Sequence, residues 1–419
     1  MKNLAICVPT YQRSDIIDKF LNDGVNNFNE FNIDVYIFDS SIDENTKKVV
    51  EKYMKLSNIY YVKMDTSLSS AEKVFLIYQQ FENSEYEYLW MTHDHTEIKN
   101  EALQIIFNAL DKNADFYSIN LHSSREYNEI MRDLNEFMIK SAWILNRFGT
   151  AIISVKRVIK GTNWDYMIHK YMKKSVSNYS HVGFYLERIS EIENAKCFLL
   201  GVPHEYFYDY TRCEKRSWDN DTLRITTECW GKIIYLQTSK YSKKAKKITL
   251  KSIGKTEITQ YKLIKMKKEG QYKFIIFLKY YKWLNKMFRK RDLFSFFLIS
   301  IMPFKYTRYF FDNRIKELIG KEQKKGYRIV IYGAGKFASE CSDKLKNANV
   351  NYDGFIVKTK KDNPDKLYNH NVYIAEDYLK KNDSFIIIAV SIHGMKEVKE
   401  YLKQIKTEKK MKFVESGDL

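Results

Sequence analysis

The chain has 419 residues, 44% of them hydrophobic, which suits two or three domains with ordinary buried cores. No apolar run reaches the length of a bilayer span; the longest, Leu293–Phe304 (LFSFFLISIMPF), is too short and is broken by Pro303. The formal net charge of +18 is concentrated, since residues 231–327 hold 26 Lys+Arg against 6 Asp+Glu while the remainder holds 44 against 46.

The five cysteines are Cys7, Cys197, Cys213, Cys229 and Cys341. They form no CxxC pair, so neither a disulfide framework nor a zinc ribbon is expected, and a reducing, cytoplasmic setting is. No secretory signal pattern opens the sequence.

The first ~120 residues alternate between strand-like and helix-like patterns. Strands are expected at Leu4–Val8, Asp34–Phe38, Ile59–Met64, Tyr86–Met91 and Phe116–Leu121. Helices are expected at Asp15–Phe28 (capped by Ser14), Glu44–Leu56, Ser70–Phe81 and Glu101–Leu110. This alternation predicts a parallel α/β sheet. Ligands of such sheets sit outside the carboxyl ends of the strands. Three polar clusters fall there: Pro9-Thr10-Tyr11, Asp39-Ser40-Ser41 and Thr92-His93-Asp94-His95.

Residues 122–230 are less regular. The basic stretch that follows reads as helical, with apolar stripes between lysines. Periodicity then returns, with a strand at Arg328–Tyr332, a turn at GAGKFA (333–338), a helix to Lys346, and strands at Asp353–Val357 and Phe385–Val390. The expected domains are therefore 1–230, a basic amphipathic helical connector at 231–326, and a second α/β unit at 327–419.

Three ordered stretches, AICVPTYQR (5–13), VYIFDSSIDENT (35–46) and EYLWMTHDHTEI (87–98), resemble those of the family-2 glycosyltransferases of GT-A fold found in bacterial surface polysaccharide assembly. The likeness covers residues 3–230, and RSWDNDTLRITTECW (216–230) is similar to the acceptor-side tail of polysaccharide-assembling members. It implies a GT-A nucleotide-sugar-binding domain and a metal-dependent inverting, hexosyltransferase-like enzyme. Its donor would be a nucleotide sugar, UDP-linked, and its acceptor a polyprenyl-linked glycan or a surface polymer such as a capsule. Pro9, Thr10, Tyr11, Asp39, Lys73 and Asp94 are then the donor-binding candidates. Asp94 and His95 are the candidate metal ligands, with His93 a weaker one. The family commonly carries further acids in this motif, and here His95 and Thr96 stand in their place. An imidazole ligand favours Mn2+ over Mg2+.

An inverting transfer needs a general base on the acceptor hydroxyl. Asp165 is the first candidate, with Glu191 and Asp219 as rivals. Trp164 and Trp218 are candidates for stacking on sugar faces. Each residue has a plainer reading. Asp94 can cap a turn, Asp39-Ser40-Ser41 can be an Asx turn, a helical lysine such as Lys73 is commonly solvated, and either tryptophan can belong to a core.

GAGKFA fits G-x-G-x-x-A between a strand and a helix and resembles a Rossmann-like nucleotide turn. The ribose-binding acid expected ~20 residues on is displaced: Asp353 opens the next strand, and Lys358 stands at its far end. A scaffold or nucleotide-sensing domain is therefore preferred to a working dehydrogenase. The basic segment fits an anionic membrane surface, which places the protein peripherally at the inner face of the cell membrane. Nucleic acid fits the charge alone, and no nucleic-acid motif accompanies it. A homo-oligomer is compatible with the sequence. The alternatives are a nucleotide-sugar oxidoreductase run by the C-terminal domain and a non-catalytic assembly protein with a degenerate first domain.

Overall fold

In a computed structural model of the chain, residues 3–56, 58–121, 127–203, 206–209, 221–360, 363–390 and 394–417 are described. The chain divides into two compact units, Met1–Gly254 and Lys255–Leu419.

The first unit runs β1 (Leu4–Thr10), α1 (Ser14–Glu30), β2 (Asp34–Asp39), α2 (Asn45–Tyr53), β3 (Ile59–Lys63), α3 (Ser70–Gln80), β4 (Tyr88–Met91), β5 (Thr96–Ile98) and α4 (Asn100–Leu110). It continues with β6 (Phe116–Asn120), β7 (Tyr127–Met131), α5 (Leu134–Leu145), β8 (Ala151–Ser154), α6 (Trp164–Tyr171), α7 (Ser180–Glu191), β9 (Cys197–Gly201), β10 (Phe207–Asp209), α8 (Trp230–Tyr235) and α9 (Lys243–Glu257). Eight strands form one sheet in the order β3-β2-β1-β4-β8-β6-β9-β7. The β3-β2-β1-β4 half is parallel throughout. The expectation of a parallel sheet fails beyond it, because β8 inserts antiparallel between β4 and β6. Its apolar run Ala-Ile-Ile-Ser is too short to stand out among the mixed residues around it, yet all four residues are buried.

Burial explains the regular half. Leu4, Ile6 and Val8 point to one face, where Ile17, Phe20 and Leu21 of α1 and Leu103 and Ile106 of α4 cover them. The helix spacing of 3 to 4 residues aligns these side chains in one stripe. The expected Ser14 cap is not formed. The helix begins at Ser14 itself, and Arg13 occupies the cap position without a side-chain cap bond, its guanidinium being turned elsewhere. α3 is fixed by a capping box, Ser69 accepting from Glu72 N while the Glu72 carboxylate accepts from Ser69 N.

The second unit opens with α10 (Gln260–Lys268), α11 (Phe274–Met287), α12 (Lys290–Ile301) and α13 (Phe304–Gln323). Then come β11 (Arg328–Tyr332), α14 (Lys336–Asn347), β12 (Gly354–Val357), β13 (Lys366–Leu367), β14 (His370–Ile374), α15 (Ala375–Leu379), β15 (Ser384–Ile388), α16 (Met395–Gln404) and β16 (Met411–Glu415). The sheet order is β13-β14-β12-β11-β15-β16, parallel except for β13. Progress along the chain reverses at β11, as in doubly wound sheets. Ile329 and Ile331 face one core and Val330 and Tyr332 another, so the sheet is covered on both sides.

The stretch expected as a connector, 231–326, is shared between the units. Ile233, Ile234, Tyr241, Leu250 and Ile253 are buried within the first, and α10 to α13 belong to the second.

Candidate active site

Strand order locates the site. β1 and β4 are neighbours, while β2 and β3 lie on the far side of β1, so the connections leave β1 in opposite directions. A crevice opens at the carboxyl ends of strands at such a reversal. Thr10 ends β1, and Thr92-His93-Asp94-His95 follows β4.

Asp94 is the hub. Thr10 Oγ1 donates to its Oδ2 at 2.9 Å, Arg13 Nη1 donates to its Oδ1 at 3.1 Å, and His95 Nδ1 lies 3.0 Å from the same Oδ1. Asp94 is buried, whereas the Arg13 side chain is 42% exposed. Burial pushes the Asp94 pKa up. The His95 hydrogen bond, the Arg13 charge and the Thr10 hydroxyl outweigh it and hold the carboxyl below its ordinary value.

Lys73 projects from α3 into the same region. Its ammonium donates to Ser40 Oγ and sits 5.4 Å from the centroid of the Tyr11 ring. Burial lowers its pKa, while the charges of Asp39 and Asp94 pull in the opposite direction. A buried helical lysine with two carboxylates in range is not the solvated residue of the plainer reading.

Asp39 is completely buried. Its Oδ1 accepts from Ser41 N at 2.8 Å, its Oδ2 accepts from Tyr61 Oη at 2.9 Å, and Lys63 Nζ lies 3.9 Å from Oδ2. The bond to the amide two residues on is the Asx-turn geometry. Burial, followed by the Asp39 hydrogen bond, raises the Tyr61 pKa. Gln12 adopts a left-handed conformation (φ +50°), and its amide donates to Ser41 Oγ at 2.7 Å. That bond ties the β1 turn to the β2 turn. Tyr11 beside it is 45% exposed, and Pro9 lies within β1, paired in register with Phe38.

His93 and His95 lie with ring centroids 4.5 Å apart, and His93 is 5.3 Å from Phe148. Gly149, at φ +84°, closes this side. A Cβ there would lie 3.3 Å from Thr92 Oγ1 and 3.5 Å from His93 Cδ2, and the Gly149 carbonyl accepts from Trp90 Nε1 at 2.8 Å. Sequence patterns did not single out Arg13, Tyr61, Lys63, Phe148 or Gly149. Arg13 lies within the quoted opening motif, but its partner is 81 positions away.

The donor set around Asp94 offers part of a divalent-cation site. Among the described residues, no group of three or more His, Cys, Asp or Glu side chains is arranged to hold one. Two donors do fit an edge of such a site. The 3.0 Å between Asp94 Oδ1 and His95 Nδ1 matches the spacing of about 3 Å between adjacent ligands of an octahedral ion with bonds of roughly 2.1 Å. Arg13 now takes the same oxygen.

The other candidates make different contacts. Trp164 stacks on Phe184 at 5.6 Å and donates to Glu82 Oε2 at 2.7 Å, which makes it part of the packing among α3, α6 and α7. Asp165 is exposed in the first turn of α6. Glu191 pairs with Arg188 at the end of α7. Trp218 and Asp219 fall outside the described residues. In the second unit, Asp353 precedes β12 and is held by Arg328 Nη1 at 3.2 Å and Tyr378 Oη at 2.7 Å. That is the strand end opposite the GAGKFA turn, where Gly333 (φ +115°) leaves room for the Ala389 carbonyl.

Residues 5–167 match the family model described as glycosyl transferase family 2. That match and the strand order give an α/β protein with an N-terminal GT-A-like sheet domain, whose residues 5–167 are similar to family-2 glycosyl transferases, and a second sheet domain. No curated protein sequence matches the chain. Among solved structures, S. aureus TarS is 14% identical with a TM-score of 0.43, covering 72% of this chain and 55% of that one, so the chain spans about half the length of that TarS chain. TarS 1–349 in complex with UDP-GlcNAc is 13% identical with a TM-score of 0.40, over 72% and 90%. The mannosyltransferase PcManGT from Pyrobaculum calidifontis, in complex with GDP-Man and Mn2+, is 12% identical with a TM-score of 0.35, over 71% and 86%.

Proposed function

We propose that the protein transfers a hexose from a nucleotide sugar, UDP-linked, to a lipid-linked glycan or surface-polymer acceptor, with inversion at the anomeric carbon. The crevice at the β1/β4 reversal carries this reading. It gathers a buried carboxylate, two basic side chains and an exposed aromatic ring from three separate segments.

In this reading Tyr11 offers a face to the nucleotide base. Lys73 and Arg13 meet the diphosphate, whose concentrated negative charge repels Asp94 unless cations intervene. Asp39, enclosed by Tyr61 and Ser41, shapes the pocket wall instead of touching the donor. Thr10 and Pro9 set the floor, and Thr10 orients Asp94. Asp94 and His95 would hold Mn2+ or Mg2+, which as a Lewis acid would stabilise the departing diphosphate. The acceptor oxygen attacks the anomeric carbon as the bond to the diphosphate oxygen breaks. The leaving oxygen keeps the electron pair, and the hydroxyl proton passes to a base. Asp165 is assigned that role as an exposed carboxylate, with Trp218 as the acceptor-side aromatic. Trp164, already stacked, supports α6.

The test is a thermal-shift screen of nucleotide sugars with and without Mn2+, followed by an assay for released UDP. A ligand that binds the folded state raises the melting temperature by mass action. No shift with any nucleotide sugar would remove the reading.

A further inference from the structure

We infer that the outward faces of α11 and of the first half of α13 form a docking surface for an anionic lipid bilayer. The inference narrows the peripheral membrane setting expected from the charge to two specific helix faces.

The buried side of α11 is conventional: Phe277, Tyr280, Leu284 and Met287 pack inward. Its outward side is apolar as well, with Ile275 68% and Leu278 49% exposed. The outward side of α13 repeats this with Tyr306, Tyr309 (68%) and Phe310 (52%), at spacings of three and four residues. One helix turn places such residues side by side. Scattered apolar residues on a surface need no explanation, but ordered stripes mark an interaction face.

Charge decides what covers them. Residues 273–313 hold nine Lys+Arg (Lys273, Lys279, Lys282, Lys286, Arg289, Lys290, Arg291, Lys305, Arg308) and two acids, Asp292 and Asp312, which pair with Arg289 and Arg308. Apolar stripes set among cations complement a surface with anionic headgroups above hydrocarbon. Each cation near such a surface adds to the attraction, and the apolar face enters the headgroup boundary. Lys286 Nζ and Lys282 Nζ lie over the Trp283 ring, 5.1 and 6.0 Å from its centroid, so two cations and an aromatic ring are gathered on this helix. Among the described residues no helix is long and apolar enough to cross a membrane, so the contact is with the surface.

The test uses the full-length protein and vesicles of phosphatidylcholine with or without phosphatidylserine. Co-sedimentation should require phosphatidylserine and weaken as salt is raised. The pair Ile275→Asp with Leu278→Asp should lose at least about tenfold in partitioning, and Tyr309→Ser with Phe310→Ser should do the same. Both should keep the parent circular dichroism and melting temperature. Equal binding to neutral vesicles would overturn the inference. So would unchanged partitioning of both folded variants, or binding to a single-stranded oligonucleotide that displaces the vesicles. The readout needs no turnover, so its failure leaves the transferase reading standing, and the converse also holds.

Discussion

Arg13 and Asp94, 81 positions apart in the chain, form a 3.1 Å ion pair across the mouths of the first and fourth strands. The pair joins the loop after β1 to the loop after β4 at the one place where the parallel half of the sheet reverses. It sets a guanidinium against a buried carboxylate that Thr10 and His95 also contact. It also sets the main question about the chemistry, because the oxygen that Arg13 holds is the oxygen a cation would need.

Asp94→Asn keeps the shape and removes the charge. Turnover should fall roughly 10²-fold or more, equivalent to about 3 kcal/mol of transition-state stabilisation. The fold should survive, because an asparagine oxygen can still accept from Thr10 and the exposed Arg13 can turn to water. A steady-state assay beside a melting curve separates the two effects. Near-normal, metal-dependent turnover would show that the triplet is only a turn.

Arg13→Gln removes a guanidinium that competes with a cation for Asp94 Oδ1. Relief of that like-charge contact is worth about 1 kcal/mol at a half-exposed position, so Mn2+ should bind roughly fivefold more tightly. Electron paramagnetic resonance of free Mn2+ reads this without any turnover. Weaker Mn2+ binding would mean that Arg13 organises the site instead of blocking it.

Asp165→Asn should lower kcat while leaving the nucleotide-sugar Kd, measured by calorimetry, within about twofold, because a general base acts on the acceptor and not on the donor. An unchanged kcat would move the base to another carboxylate.

Gly149→Ala tests the turn beneath the histidines. The backbone there is left-handed, and the new Cβ would press on Thr92 Oγ1 at 3.3 Å. A loss of about 1–3 kcal/mol in denaturant titrations is expected. Stability equal to the parent would show that the loop relaxes freely.

His181 provides a pH signature. It is buried against Phe148 and Tyr185, and its Nε2 lies 3.0 Å from the Leu145 carbonyl. Burial lowers its pKa from 6.5 to about 4, and the carbonyl opposes that shift. The folded state therefore binds fewer protons than the unfolded state between these values. The contribution is fully present above pH 6.5 and is lost as pH falls toward 4, at up to about 1.4 kcal/mol per pH unit. His181→Gln retains a donor and cannot titrate, so its stability should fall less steeply over that window. Parallel curves for the two proteins would reject this assignment.

Side-chain order along the chain already laid out the first half: β1, β2, β3 and β4, the helices between them, and the three polar clusters at the strand ends. Those follow from side-chain periodicity, which is a property of neighbours in the chain. The sequence also marked the basic segment, because charge is counted without coordinates. Where those features act depends on contacts between segments distant in the chain. β8 inserts antiparallel because four buried residues, three of them apolar, pair with strands far away in the chain, a contact that periodicity cannot register. Asp39 turned out to be walled in by Tyr61 and Ser41, and Trp164 to be stacked on Phe184, because burial depends on what folds over a residue. The partner of Asp94 was invisible for the same reason. An ion pair needs 3 Å in space, and a linear sequence records only the 81 residues that separate its two halves.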